Sequence, residues 1–400
     1  MIIPGLGPPI GGEGTLIELH WSLSLPILIL TTLQLIIAFT NLKFFHLLPH
    51  RGENGTTGLV SVLVPARNEE QNISKCLVSL SQQNYPELEI LVLDDNSTDS
   101  TSSLIKSFAE FDSRIKLLTG EILPEGWIGK NWACHQLALA AKGKFLLFID
   151  ADTILSEDVI AASVKEIVHG NVQLLSVMPH RSASCLLERL LYPLVDWATF
   201  AWLPLKLAHW KQNAQMSATF GQFILFTRIA YTSIGGHQMV HNNPLDDFEL
   251  GRLVKKRGFQ WRLIRGKNWV RVLPYKGNKE AFLGISRSVF PALNYRVSFL
   301  LFLIMFSLFL IFLPLAILID SVFSNGNDLP VIAISTVSVG NIFISWFIAC
   351  REFNHSWVFS FCYPVSVAIM IMVGIYSFIT YSSGSTYWKG RRLPGKRLRI

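Results

Sequence analysis

Residues 145–152 read FLLFIDAD. A short, unbroken apolar run closed by acids reads as a buried strand, because a strand covered on both faces needs no polar alternation. Two carboxylates, Asp150 and Asp152, stand where it ends. Working outward, 61–66 (SVLVPA), 88–95 (LEILVLDD) and 171–178 (NVQLLSVM) repeat the pattern. Helical spacing separates them: Ile73, Cys76, Leu77 and Leu80 recur on one face after Asn68-Glu69-Glu70. Strands alternating with helices predict an α/β domain with a mostly parallel, doubly wound sheet.

In such sheets ligands bind beyond the carboxyl ends of the strands. Here the strand ends are polar. They carry Arg67-Asn68-Glu69, Asp94-Asp95-Asn96-Ser97 and Asp150-Ala151-Asp152. One such cluster alone is equally well a turn or a helix cap. Repetition at three strand ends predicts one shared crevice. Asp150 and Asp152, two residues apart, suit one hard cation, Mn²⁺ or Mg²⁺, whose shell substrate phosphates would complete. Such a cation would neutralise a departing diphosphate.

The ends of the chain have a different composition. Half of all residues are hydrophobic and only 16% are charged, against about 25% in soluble domains. The excess lies in 21–40 and in three later stretches, 298–319, 331–350 and 357–381, each a transmembrane candidate. Glu13 and Glu18 precede the first stretch, and Lys43 and Arg51 follow it, which predicts a cytoplasmic domain. A tail with Lys389, Arg391, Arg392, Lys396, Arg397 and Arg399 also predicts an inside location. Four crossings would put that tail outside, so either one stretch does not cross or the charge rule fails here. Pro314 and Pro364 interrupt two of the candidates. The net charge of +7 fits membrane headgroups; no nucleic-acid module accompanies it. Five scattered cysteines without a C-x-x-C pair fit a reducing compartment.

Residues 186–210 are rich in Leu and Trp but carry Glu188, Arg189, Asp196 and Lys206. They read as an element lying on the membrane or as a buried helix pair. Phe282, Ile285 and Val289, flanked by Lys276, Lys279, Arg287 and Arg296, read as an interfacial helix.

The motifs PARNEE (65–70), DDNSTDS (94–100), GWIGKNWAC (126–134) and IDADT (149–153) together resemble the nucleotide-sugar half of family 2 glycosyltransferases of the GT-A, Rossmann-like fold. GQFILFTRIAYTSIGGH (221–237) and LDDFELGRLVKKRGF (245–259) resemble the acceptor half. GKNWAC combined with WKGR at 388–391 resembles the hopanoid-associated and carotenoid glycosyltransferases, relatives of ceramide glucosyltransferase.

The resemblance implies roles. Pro65, Arg67 and Glu69 lie beside the nucleoside. Asp95 accepts from the base, and Asp94 supports its turn. Lys130 approaches the diphosphate, Asp150 contacts ribose or metal, and Asp152 binds metal. Asp247 is the catalytic base beside Asp246, where such enzymes carry a Glu-Asp pair. An attacking alcohol must shed its proton, so a carboxylate opposite the leaving group suits the task, although acids opening a helix also suit its N-terminus. Processive synthases carry Gln/Arg-x-x-Arg-Trp, whereas Gly284-Ile-Ser-Arg287-Ser-Val-Phe290 has no Trp. Arg287 is then a diphosphate partner or a membrane-surface arginine. His135, His237 and His241 receive no role.

The expected organisation is a short segment (1–20), an anchor (21–41), a GT-A domain (55–275), an interfacial helix (276–297), about three membrane helices (298–381) and a basic tail (382–400). The expected activity is inverting transfer from a UDP-glucose-like donor to a hydroxyl of a carotenoid, hopanoid or sphingolipid-like acceptor, by a multi-pass protein of the cell membrane. A processive polysaccharide synthase and a non-enzymatic scaffold or transporter are the alternatives. The spans carry almost no ionisable groups, which disfavours a transporter.

Overall fold

The computed structural model describes residues 12–45, 58–323 and 329–393. Residues 1–11, Arg51, residues 55–57 and the tail residues Lys396, Arg397 and Arg399 lie outside the described residues, as do the side chains of Glu13 and Glu18.

An apolar helix, α1 (Gly12–Phe44), leads into the sheet-forming part. That part opens with β1 (Val60–Ala66), α2 (Ile73–Ser81), β2 (Leu88–Asp94), α3 (Thr101–Phe111), β3 (Ile115–Thr119), α4 (Gly129–Ala140) and β4 (Phe145–Phe148). It continues through β5 (Thr153–Leu155), α5 (Val159–His169), β6 (Leu174–Met178) and β7 (His180–Arg181). Helices α6 (Leu186–Trp202) and α7 (Leu205–Trp210) then precede β8 (Ile224–Thr227), α8 (Arg228–Ser233), α9 (Asp246–Lys256), β9 (Trp261–Arg265) and β10 (Val270–Val272). Helices α10 (Asn278–Ala292), α11 (Val297–Ser307), α12 (Leu313–Phe323), α13 (Leu329–Glu352) and α14 (Tyr363–Ser382) follow. Two short strands, β11 (Tyr387–Trp388) and β12 (Arg391–Arg392), come last.

The main sheet has the order β3-β2-β1-β4-β8-β6-β9. It is mostly parallel: only β8 runs against its neighbours β4 and β6. Along β1, Val60, Val62 and Val64 join the core under α2 and α5, while Leu63 joins the core under α4. This is the period of two expected of a strand covered on both faces. Register places the site. Ala66 pairs with Asp94 and Leu63 with Phe148, so β1, β2 and β4 end along one edge. The order reverses at β1, which has β2 on one side and β4 on the other. A crevice opens at such a switch point.

The second core cluster runs without a break into the apolar helices, through Ala38, Trp197, Phe200, Trp346 and Phe353. α6 is wedged between sheet and apolar helices, and its acids are buried and paired. Asp196 bonds Arg181, and His355 Nε2 lies 2.6 Å from it. Glu188 accepts from the backbone N–H of Ser184 (2.7 Å) and of Tyr275 (2.8 Å). At the end of α1, the Asn41 amide donates to the Phe200 and Leu203 carbonyls at 2.7 and 2.8 Å.

The two prolines behave differently from a simple break. Pro314 lacks an N–H and crowds the carbonyl four residues earlier. A π-helical turn, Leu308–Phe312, absorbs this and joins α11 to α12 as one long helix. Pro364 sits in the first turn of α14, where no N–H is needed, and so starts that helix. Among the described residues, four helices are long and apolar enough to cross a membrane: His20–Phe44, Val297–Ser321, Leu329–Glu352 and Tyr363–Ser382.

Candidate active site

The loops after β1 and β2 are interlocked. Asn68 and Asn96 both adopt left-handed backbone, with φ of 50° and 54°, a conformation asparagine tolerates better than most residues. The Asn68 N–H donates to Ser97 Oγ at 2.9 Å, and Thr98 N–H returns to Asn68 Oδ1 at 2.8 Å. Asp94 Oδ1 accepts from Ser97 N–H at 3.1 Å, so this carboxylate holds the turn and does not line the crevice. Arg67 donates to the main-chain carbonyls of Asp95 and Asn96.

The other residues singled out from sequence line one crevice of about 510 Å³: Pro65, Arg67, Glu69, Asp95, Lys130, Asp150, Asp152, Asp246, Asp247 and Arg287. Its centre is a glycine. A Cβ on Gly221 would fall 3.3 Å from Asp247 Oδ2, 3.3 Å from Lys130 Nζ and 3.7 Å from Asp150 Oδ2. The starts of α4 and α9 and the loop after β4 therefore bring their charges to one point, and Gly221 leaves them the space. Its N–H also donates to Asp247 Oδ2 at 2.9 Å. Lys130, at the start of α4, lies 2.6 Å from Asp150 Oδ1. Burial works against its ammonium, but Asp150 and Asp246 outweigh it and hold the pKa well above the ordinary lysine value.

The neighbouring acids at the start of α9 are driven apart. Burial raises Asp246, but Lys130 and His237 outweigh it and keep the pKa below the carboxylate norm. Asp247 is pushed up to about 7 by burial and by the charge on Asp246. Adjacent acids in opposed environments divide their roles: one stays an anion and the other can exchange a proton. His237 is a residue that sequence reasoning left unassigned. It is 1% exposed, its Nε2 lies 3.4 Å from Asp246 Oδ2, and its Nδ1 lies 2.8 Å from the Tyr231 hydroxyl. His135 and His241 pack instead around Trp127. Tyr275 was also missed. It lines the crevice and fits because Gly284 has no side chain: a Cβ there would fall 2.5 Å from the Tyr275 hydroxyl.

Asp152 Oδ1 is buried and has no hydrogen-bond partner among the described residues. Burial, then Asp150 and Glu69, raise its pKa to about 7. A buried acid short of positive charge suits a cation. Among the described residues no three acid, histidine or cysteine side chains form a cage of their own.

An α/β crevice at a sheet switch point, floored by acids and ringed by cations, is the site of a GT-A fold, and residues 61–226 match the family model described as Glycosyl transferase family 2. Residues 61–226 are thus similar to that family, over less than half of the chain. It is similar to the 4,4'-diaponeurosporenoate glycosyltransferase of Staphylococcus haemolyticus, 27% identical over 234 residues, 56% of this chain and 59% of that protein. The Staphylococcus aureus protein of the same name is 27% identical over 225 residues, covering 54% and 56%. The chain therefore spans less than two thirds of these curated relatives. Its fold is similar to that of a mannosyltransferase from Pyrobaculum calidifontis solved with GDP-Man and Mn²⁺, with a TM-score of 0.54 and 14% identity over 92% of this chain and all of that one.

Proposed function

We propose that this protein is an inverting glycosyltransferase that moves a sugar from a nucleotide-diphosphate donor of the UDP-glucose type onto the hydroxyl of a membrane lipid. The observation that carries this reading is the meeting of Asp247, Lys130 and Asp150 around Gly221. Asp247 takes the proton of the attacking hydroxyl as oxygen closes on the anomeric carbon. The bond from that carbon to the diphosphate breaks on the opposite face. Lys130 and Arg287 face the charge that develops there. A divalent cation, Mn²⁺ or Mg²⁺, would be held by Asp152 and Asp150 with donor oxygens, and would neutralise the leaving diphosphate. Pro65, Arg67, Glu69 and Asp95 then surround the nucleoside, with Asp94 fixing their turn.

An apolar groove of about 510 Å³ supports a lipid acceptor. Leu186, Leu187 and Leu190 of α6, Phe282 and Leu283 of α10, and Ile369 and Tyr376 of α14 line it. Leu283 also lines the polar crevice, so the groove adjoins the chemistry. Membranes of a bacterium expressing the protein should gain a lipid heavier by one hexose, detected by mass spectrometry of extracts. Unchanged extracts together with a long polymeric product would favour a processive synthase.

Three helices cross the bilayer in this reading. α1 and the joined α11–α12 both pack on α13. Asn41 and His355 mark the domain end of this bundle, and His20 Nε2, 4.0 Å from Asp320 Oδ2, marks the far end. α14 is different, because both its ends lie at the domain. Tyr363 packs on Trp346 at 5.8 Å near the end of α13, and the residues after Ser382 reach Asp95. A helix with both ends on one side lies along the membrane. Its exposed Val365, Met372, Ile375 and Ile379 then face lipid. Lys43, Lys389, Arg391 and Arg392 all fall on the domain's side, as the positive-inside rule requires of a cytoplasmic domain. A reporter that fluoresces only in the cytoplasm, fused after Ile400, should be bright; a dark fusion would mean that α14 crosses.

A further inference from the structure

The end of the described chain folds back over the crevice. β11 and β12 pair Tyr387 with Arg392 and Trp388 with Arg391. Lys389 and Gly390 turn the hairpin with φ of 46° and 77°, the two left-handed residues of a tight two-residue turn. Trp388 and Lys389 line the crevice wall. Lys389 Nζ donates to the Asn68 carbonyl at 2.8 Å and lies 3.0 Å from Glu69 Oε1. The Lys389 carbonyl accepts from Arg67 Nε at 3.2 Å. Arg391 forks onto Asp95, with Nη1 2.6 Å from Oδ2 and Nη2 3.1 Å from Oδ1. The fork has a built seat. A Cβ on Gly129 would fall 2.6 Å from Arg391 Nη1 and 3.0 Å from Asp95 Oδ2.

We propose that this hairpin completes the nucleoside end of the donor site, with Arg391 a positioning residue that aims the Asp95 carboxylate at the base. Asp95 is 3% exposed, and a buried carboxylate needs a paired charge. Arg67 does not supply the fork, because its Nη1 is bonded to the carbonyls of Asp95 and Asn96. Arg391 does, and each carboxylate oxygen keeps a further lone pair. That lone pair suits a base with a ring N–H, such as uracil. Cytosine presents a ring acceptor there instead and would be repelled. The inference rests on the nucleotide-sugar reading above.

The test is calorimetric titration of the purified full-length protein with UDP and with CDP in Mn²⁺, beside steady-state kinetics in the donor. The wild type should prefer UDP. Arg391→Ala should weaken UDP binding about tenfold or more, raising the donor KM by a similar factor while kcat moves much less. Arg391→Lys should restore part of the loss, since an ammonium keeps the charge but not the fork. Gly129→Ala, which keeps the arginine but fills its seat, should reproduce the loss, so the test survives if Arg391→Ala fails to fold. Equal or tighter UDP binding by Arg391→Ala and Gly129→Ala would overturn the proposal, the tighter case making the hairpin a plug. A wild type that binds neither nucleotide would instead overturn the donor reading on which it rests.

Discussion

Asp247→Asn is expected to lower kcat for sugar transfer by about 10²- to 10⁴-fold while leaving UDP affinity within a few-fold of wild type. The amide keeps the shape and can still accept from the Gly221 N–H, which reaches Asp247 Oδ2 at 2.9 Å, but it cannot take a proton. The neighbouring acid cannot stand in. Lys130 and His237 keep the pKa of Asp246 below the carboxylate norm, whereas burial and Asp246 raise Asp247 to about 7. The same asymmetry fixes the pH dependence. A base works deprotonated, so activity should be full above its pKa and fall about tenfold per pH unit below it. The acid limb of kcat/KM is therefore expected near pH 7, well above an ordinary carboxylate. A limb near pH 4, or full turnover by Asp247→Asn, would assign proton transfer elsewhere.

How much of this was readable from the chain depends on the distance over which each signal acts. The strand ends were legible because apolar runs closed by Asp94-Asp95 and Asp150-Asp152 are local patterns, and a parallel sheet forces such ends to one edge. The convergence on Gly221 was not, because a glycine announces only spare room, and what fills that room comes from α4, α9 and the loop after β4. His237 was hidden for the same reason: its partners Tyr231 and Asp246 lie on separate elements. The paradox of a basic tail after four apolar stretches was visible in sequence. The proposal that α14 does not cross rests on its place beside α6 and α10, which hydropathy does not encode. The pairing of Arg391 with Asp95 joins DDNSTDS to WKGR across most of the chain, and no periodicity links two motifs so far apart.

Asp152→Ala is expected to abolish transfer and to remove the response of the protein to Mn²⁺, with the fold intact. Asp152 gives little to the structure: its Oδ1 is buried with no hydrogen-bond partner among the described residues, and burial together with Asp150 and Glu69 raises its pKa to about 7. Leaving such an acid uncompensated costs stability, so the alanine variant should melt no lower than the wild type in metal-free buffer. The two effects have opposite signs, and this separates a ligand from a structural acid. Mn²⁺ with UDP should raise the melting temperature of the wild type through binding to the folded state alone. It should raise that of Asp152→Ala far less. Asp152→Asn should fall between them, because an amide oxygen coordinates a hard cation but brings no charge. A variant that still gains stability from Mn²⁺ with UDP, and still transfers sugar, would remove the cation from Asp152 and leave Lys130 and Arg287 to face the departing diphosphate without it.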